Sequence, residues 1–245
     1  MGEEVPERSR SGDLHTRSQL EHQLEVFPAL ERRRCEVVEN GWEPADHATS
    51  APASASPSER ALSIAFVGTF PAFTPPGGFL ATVEAAVRAR PDLKAQLRIL
   101  LVGRKHPSVL EPLQRFAHAE MLECIGEVPR PQAIRIMRSA SALLLFNPPE
   151  LARYVPGKLY EYLAARRPIL VFGNGGEAAT LVQELAAGVT IEPGDFKSLT
   201  RAVDGLAAGT LRRPSGAEIN SWLAAHTRER MTAQFFAVLE ALPRS

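Results

Sequence analysis

Six short apolar runs, at 62–67, 97–102, 121–125, 142–146, 169–172 and 189–191, alternate with stretches of helical periodicity. The runs are rich in Val, Ile and Leu and lack polar alternation, which is the pattern of strands buried on both faces of a parallel sheet. The stretches between them carry one apolar face each: Leu80, Val83 and Val87 in 79–90, Val109, Leu113, Phe116 and Ala117 in 108–119, and Leu199, Ala202, Val203 and Leu206 in 196–206. Gly188 is placed to cap the helix that starts near Glu177, and Asp195 to cap the start of the next. Six β–α units specify an α/β fold with a doubly wound, Rossmann-like parallel sheet over 60–206. Two further helices are expected at 217–226 and 230–242, the last with an apolar stripe of Met231, Phe235, Val238, Leu239 and Leu242.

The segment 50–58, SAPASASPS, has the composition of a linker. It divides the 245 residues into 1–49, a linker at 50–59, and a domain at 60–245. The first part holds one helix at 18–30, the run 35–38 and the turn Asn40-Gly41, too little for a domain and expected to be partly disordered. Lys plus Arg (28) balances Asp plus Glu (28), so no global field recruits nucleic acid or an anionic membrane. The polar stretch 1–19 leads us to expect no secretory signal, and no run approaches the ~18 apolar residues of a spanning segment. Cys35 and Cys124 have the spacing of neither a metal site nor a redox pair, so a cytoplasmic location is expected, with peripheral attachment to the inner face of a membrane left open. The six histidines are scattered and none is assigned to a metal.

In a doubly wound sheet of order 3-2-1-4-5-6, ligands bind beyond the strand ends between the first and fourth strands. The loop after strand one runs Gly68-Thr69-Phe70 into Pro71, Pro75, Pro76, Gly77 and Gly78; the loop after strand four runs Asn147-Pro148-Pro149-Glu150 to Pro156-Gly157-Lys158. Both are long and rich in Gly and Pro, and long loops in compact domains are most often functional. Pro156-Gly157 opens a helix whose free N–H groups, with Lys158, form an anion site suited to a diphosphate. Lys158 and Glu161 share one helix face, Lys158 toward phosphate and Glu161 accepting from ribose hydroxyls, unless the two simply form a surface ion pair. Leu159, Tyr162 and Leu163 face the sheet. Arg104 and Lys105 after strand two either reach phosphate or solvate a loop. Gly175 and Gly176, after strand five, allow close backbone approach to a ligand. There is no G-x-G-x-x-G after strand one, no P-loop and no G-x-S-x-G, which argues against a dinucleotide dehydrogenase, a P-loop ATPase and an α/β-hydrolase.

The segment YVPGKLYEYLAARRPILVFG (154–173) resembles the donor-site motif of retaining glycosyltransferases of GT-B architecture, family 4 or group 1. AFVGTF (65–70), LLVGR (100–104), IGEVPR (125–130), SASALLLFN (139–147) and IEPGD (191–195) follow in the family's order. VVENGWEP (37–44) resembles the end of the family's N-terminal, acceptor-binding domain, which makes 1–49 a remnant of that domain. The resemblance implies transfer of a sugar from a nucleoside diphosphate sugar with retention, in the setting of polysaccharide biosynthesis. It implies that Glu161 grips the ribose as the second carboxylate of an E-x7-E motif, that Lys158 contacts phosphate, and that Gly68 and Thr69 line the diphosphate loop. It also implies that no cofactor or divalent metal is needed, with helix dipole and basic side chains neutralising the leaving group.

Two departures bear on activity. The first carboxylate of E-x7-E falls at Arg153, with Glu150 nearby at another spacing, so no catalytic residue is assigned. Most of the acceptor-binding domain is missing, which points to a separate acceptor-binding subunit, to self-association, or to a fragment. The alternative is a catalytically silent nucleotide-sugar-binding module acting with a partner; a sugar-nucleotide epimerase of the same architecture would also need the missing half.

Overall fold

A computed structural model describes residues 15–32, 35–48, 61–72, 74 and 76–241. The linker expected at 50–59 and Leu242 of the C-terminal stripe lie outside the described residues. The N-terminal segment contributes α1 (Arg17–Val26) and α2 (Pro44–Ala48). The domain then runs β1 (Leu62–Val67), α3 (Gly77–Ala89), α4 (Leu93–Gln96), β2 (Leu97–Val102), α5 (Pro107–Arg115), β3 (Leu122–Ile125), α6 (Arg130–Ser139), β4 (Ala142–Asn147), α7 (Gly157–Ala165), β5 (Ile169–Gly173), α8 (Glu177–Glu184), β6 (Gly188–Ile191) and α9 (Phe196–Ala207). Two helices close the chain, α10 (Ala217–Ala225) and α11 (Arg228–Glu240).

The strands form one parallel sheet in the expected order, β3-β2-β1-β4-β5-β6. Every residue of β4 and β5 is buried, which is why neither alternates polar with apolar. Because successive side chains leave opposite faces, β1 serves two cores. Ile64 and Phe66 join Phe70, Phe79, Phe146 and Phe172 beneath α3 and α9, while Ala65 and Val67 join Leu159, Tyr162 and Leu163 beneath α6 and α7. The rings of Phe66 and Phe70 lie 3.8 Å apart between centroids, and Phe79 meets Phe172 edge-on at 5.4 Å. Truncating one such ring to Ala costs about 3–5 kcal/mol.

Asp195 caps α9 as expected, its carboxylate accepting from the Ser198 N–H. Gly188 does not cap α8. That helix ends at Glu184, the reversal is made by Ala186 at φ 47°, and Gly188 is the first residue of β6. A Cβ there would lie 1.8 Å from the Ile169 carbonyl oxygen, so glycine is required by strand-to-strand approach.

The N-terminal segment is tied to the C-terminal helices. The Trp42 N–H donates to the His226 carbonyl (3.1 Å), the Arg228 N–H to the Trp42 carbonyl (2.8 Å), and the Trp42 indole to the Leu223 carbonyl (2.8 Å). Gly41 passes so close to Arg228 that a Cβ would meet its backbone at 2.8 Å. Leu20 of α1 is buried, whereas Phe27 is exposed. On α11, Met231 and Val238 are half-buried and Phe235, Phe236 and Leu239 are exposed. No helix among the described residues is long and apolar enough to cross a membrane.

Candidate functional site: the crevice between the first and fourth strands

β1 and β4 are paired only at Ile64↔Ala142 and Ala65↔Leu143, so the two strands part before their carboxyl ends. Parting strands leave backbone groups that must find other partners. The Tyr162 hydroxyl supplies them for Val67, accepting from its N–H (2.8 Å) and donating to its carbonyl (3.1 Å). This explains a tyrosine in the core, where burial holds its phenol protonated. The split lies at the switch point of the sheet, where α/β folds bind ligands.

Two glycines meet at the ends of the strands there. Gly68 takes φ +139° at the end of β1, and Gly103 takes φ +121° at the end of β2. A Cβ on Gly103 would stand 2.2 Å from the Gly68 carbonyl oxygen, so the two loops touch backbone to backbone. The loop after β1 is further pinned by the Phe70 N–H to the Arg104 carbonyl (2.9 Å) and the His106 N–H to the Phe70 carbonyl (3.0 Å).

Lys158, in the first turn of α7, lies over Gly68. Its Nζ sits 3.9 Å from the centroid of the Phe66 ring, 3.5 Å from the Thr69 carbonyl, and 3.4 Å from where a Cβ on Gly68 would be. Burial pulls its pKa down to about 8, and it forms no ion pair among the described residues. Gly68, Thr69 and Lys158 are thus brought together. Gly157 starts α7 after Pro156, whose side chain offers the helix no cap, so the first N–H groups are open to an anion.

Gly175 and Gly176 follow β5. Both have positive φ, and a Cβ on Gly176 would meet the Ala152 carbonyl oxygen at 2.5 Å. The Glu177 N–H donates to Ala152 (2.8 Å) and the Asn147 amide to the Gly175 carbonyl (2.6 Å), locking the loop after β5 to the loop after β4. The Asn147 Oδ1 is buried without a partner among the described residues.

One expectation is corrected, and the surface ion pair left open for Lys158 and Glu161 is not formed. Lys105 does not point to a ligand: its Nζ donates to the carbonyls of Leu101 (2.9 Å), Gly103 (3.0 Å) and Ile125 (2.9 Å), gathering the ends of β2 and β3. A lysine beside three carbonyl oxygens is spent on them, so only Arg104, which is exposed, stays available after β2. Lys158 and Glu161 do not pair with each other. Glu161 Oε1 instead accepts from Arg130 Nη2 at 2.7 Å, and the Arg130 Nε donates to Asp46 of α2. Glu150 is exposed in a 3-10 turn, lining a cleft of about 170 Å³ with Gln19, His22, Gln23, Arg153 and Tyr154.

Sequence reasoning missed Arg130, Asp46 and the neighbouring His47. The His47 ring nitrogens are buried without partners among the described residues, and burial lowers its pKa, so it stands neutral at pH 7 against the Trp42 ring edge. Arg130 opens α6, 31 residues before Glu161, and no local pattern marks the pair.

The family model described as "Glycosyl transferases group 1" matches residues 61–208, the whole doubly wound sheet. No curated protein matches the sequence. Among solved structures, a trehalose-6-phosphate synthase studied for glycosyltransfer with retention is similar at TM-score 0.74 and 16% identity, over 95% of this chain and 61% of that one. An E. coli trehalose-6-phosphate protein bound with UDP-2-fluoro glucose is similar at TM-score 0.66 and 16% identity, over 85% and 52%. WaaG, a glycosyltransferase involved in lipopolysaccharide biosynthesis, is similar at TM-score 0.67 and 17% identity, over 92% and 60%. At these identities the likeness is one of fold, and the chain spans only 52–61% of the lengths of those proteins. The matched segment covers more than half of the 245 residues, and the chain belongs to the group 1 glycosyltransferases.

Proposed function

We propose that this chain is the donor-binding half of a glycosyltransferase that takes its sugar from a nucleoside diphosphate sugar, with retention of anomeric configuration. The observation that carries the reading is the half-buried Lys158 over Gly68, beside the uncapped start of α7. In transfer, the bond from the anomeric carbon to the β-phosphate oxygen breaks, and the nucleoside diphosphate leaves with the electron pair. The acceptor hydroxyl oxygen forms the new glycosidic bond and passes its proton to the departing diphosphate oxygen. The Lys158 ammonium and the N–H groups of Gly157, Lys158 and Thr69 stabilise the charge that grows on the leaving diphosphate, while Gly68 leaves room for it. Glu161 accepts from the ribose hydroxyls. Gly175, with open space where a Cβ would stand, admits the sugar close to the backbone, Gly176 is needed for the contact with Ala152, and the exposed Arg104 adds positive charge at the rim. With so much positive potential supplied by the chain, the proposed donor site works without a divalent ion.

One of the similar proteins carries UDP-2-fluoro glucose and another concerns retention, which supports this reading. The chain spans 52–61% of the similar proteins, so the proposal concerns donor binding and not the acceptor. Arg153, standing where the motif carries its first carboxylate, favours as second reading a nucleotide-sugar-binding module that does not turn over.

The test is thermal unfolding with UDP, GDP and ADP, each with and without a chelator. A nucleotide at 100 times its Kd adds about 2.7 kcal/mol to stability, and chelator leaves the shift unchanged. No shift with any of the three at millimolar concentration overturns the proposal.

A further inference from the structure

We propose that Arg130 is a positioning residue for the donor ribose: it fixes the Glu161 carboxylate by one oxygen and links it, through Asp46, to the N-terminal segment. The inference rests on the donor-binding reading above. Arg130 Nη2 lies 2.7 Å from Glu161 Oε1, and the guanidinium's Nε holds Asp46, so one planar fork is shared between α7 and α2. The Glu161 side chain is only 16% exposed and that of Asp46 28%, whereas Arg130 is 44% exposed. Both carboxylates are thus more enclosed than the cation that joins them. Glu161 Oε2 makes no hydrogen bond among the described residues, so one oxygen is held and the other is left to accept.

A carboxylate on an unrestrained side chain loses rotamer freedom when it captures a diol, whereas one already clamped has lost that freedom beforehand. The guanidinium is suited to the task because its donors are fixed in a plane; a lysine in the same place supplies charge without the fork. The second arm gives the arrangement a further consequence. Asp46 belongs to the N-terminal segment, which Trp42 anchors to α10 and α11, so the Arg130 side chain joins the ribose carboxylate to that segment.

The experiment measures calorimetric affinity for the nucleoside diphosphate that binds best among UDP, GDP and ADP, and for its 2′,3′-dideoxy analogue. The proteins are the full chain, Glu161→Ala, Arg130→Gln, Arg130→Lys and Asp46→Asn. The full chain prefers the ribonucleotide by tenfold or more, and Glu161→Ala abolishes the preference. Arg130→Gln reduces it to under threefold while leaving the dideoxy affinity unchanged, and Arg130→Lys and Asp46→Asn fall between. A purely structural ion pair would alter both affinities together and leave their ratio intact. Preference retained in Arg130→Gln overturns the positioning role alone. A full chain that binds both analogues equally overturns the ribose role of Glu161 and this inference with it, and one that binds no nucleotide overturns the donor-site reading as well.

Discussion

The Lys158 ammonium lies 3.9 Å from the centroid of the Phe66 ring, with burial alone pulling its pKa down to about 8. Phe66 belongs to β1 and is fully buried, so the cation rests on the edge of the aromatic core that supports the crevice. Attraction to the ring face offsets part of the lost hydration, about 0.5–2 kcal/mol for such contacts. The remaining cost is the kind that an arriving anion repays.

Nucleoside diphosphate binding should therefore weaken as pH rises through about 8, where Lys158 in the free protein loses its proton. Calorimetry between pH 7.5 and 9.5 is run with ADP, whose base does not titrate there, so the protein supplies the dependence. The Kd is expected to climb toward tenfold per pH unit above about 8, and Lys158→Gln to bind more weakly with a flat profile. A flat profile in the unsubstituted chain would remove Lys158 from the phosphate site.

The same lysine should cost stability. Its folded pKa of about 8 lies below the ordinary 10.5, so between those values the unfolded chain binds more protons and stability rises with pH. Below pH 8 the charged lysine opposes folding throughout. Lys158→Met is expected to stabilise the ligand-free chain by about 1–3 kcal/mol at pH 7, with the gain shrinking toward pH 10 and nucleotide binding lost. Urea unfolding at pH 7 and 9.5 checks the sign; a destabilised Met variant at pH 7 contradicts it.

The sheet was legible because its cause is local. Continuous apolar runs such as 142–146 and 169–172 have one stable destination, a strand covered on both faces, and the β–α alternation then fixes the order. Lys158 with Gly68 was legible because the switch point brings those loops together. Lys105 was not, since its inward turn depends on three carbonyls contributed by two strand ends. Nor was Arg130 with Glu161, joined by side-chain reach across 31 residues without a shared periodicity. Gly188 misled because a glycine after a helix has two uses, and close strand approach prevailed over capping.

Gly103→Ala should damage both fold and site. Its φ of +121° is strained for any side chain, and the new Cβ would stand 2.2 Å from the Gly68 carbonyl oxygen, a backbone atom that cannot swing aside. A loss of about 2–4 kcal/mol in urea unfolding is expected, with weaker nucleotide binding in whatever fraction remains folded. Gly126→Ala is the control: it lies beyond the end of β3 with nothing within 4 Å of the added carbon, and should cost under about 1 kcal/mol. Equal stability of the two variants would show that the loops at Gly68 and Gly103 move apart freely.

His226 should make attachment of the N-terminal segment depend on pH. Its Nδ1 faces the Trp222 carbonyl at 2.7 Å and its Nε2 faces a Glu39 carboxylate oxygen at 2.6 Å, so both nitrogens meet acceptors and the doubly protonated ring satisfies both. Burial opposes that charge, but the Glu39 carboxylate and the Trp222 carbonyl prevail and raise the pKa above 6.5. The Trp222 indole stacks on the ring at 4.1 Å, and Tyr160 approaches from α7 as a neutral phenol. A raised folded pKa gives stability that is fully present below pH 6.5 and is lost as pH rises through the folded value. Glu39 is 43% exposed, so the contribution is discounted to about 0.5–1 kcal/mol. Urea unfolding of the chain and of Glu39→Gln at pH 6 and pH 9 is the measurement. The two should differ at pH 6 and converge at pH 9; a difference that is constant with pH would mean that His226 holds the segment as a neutral ring.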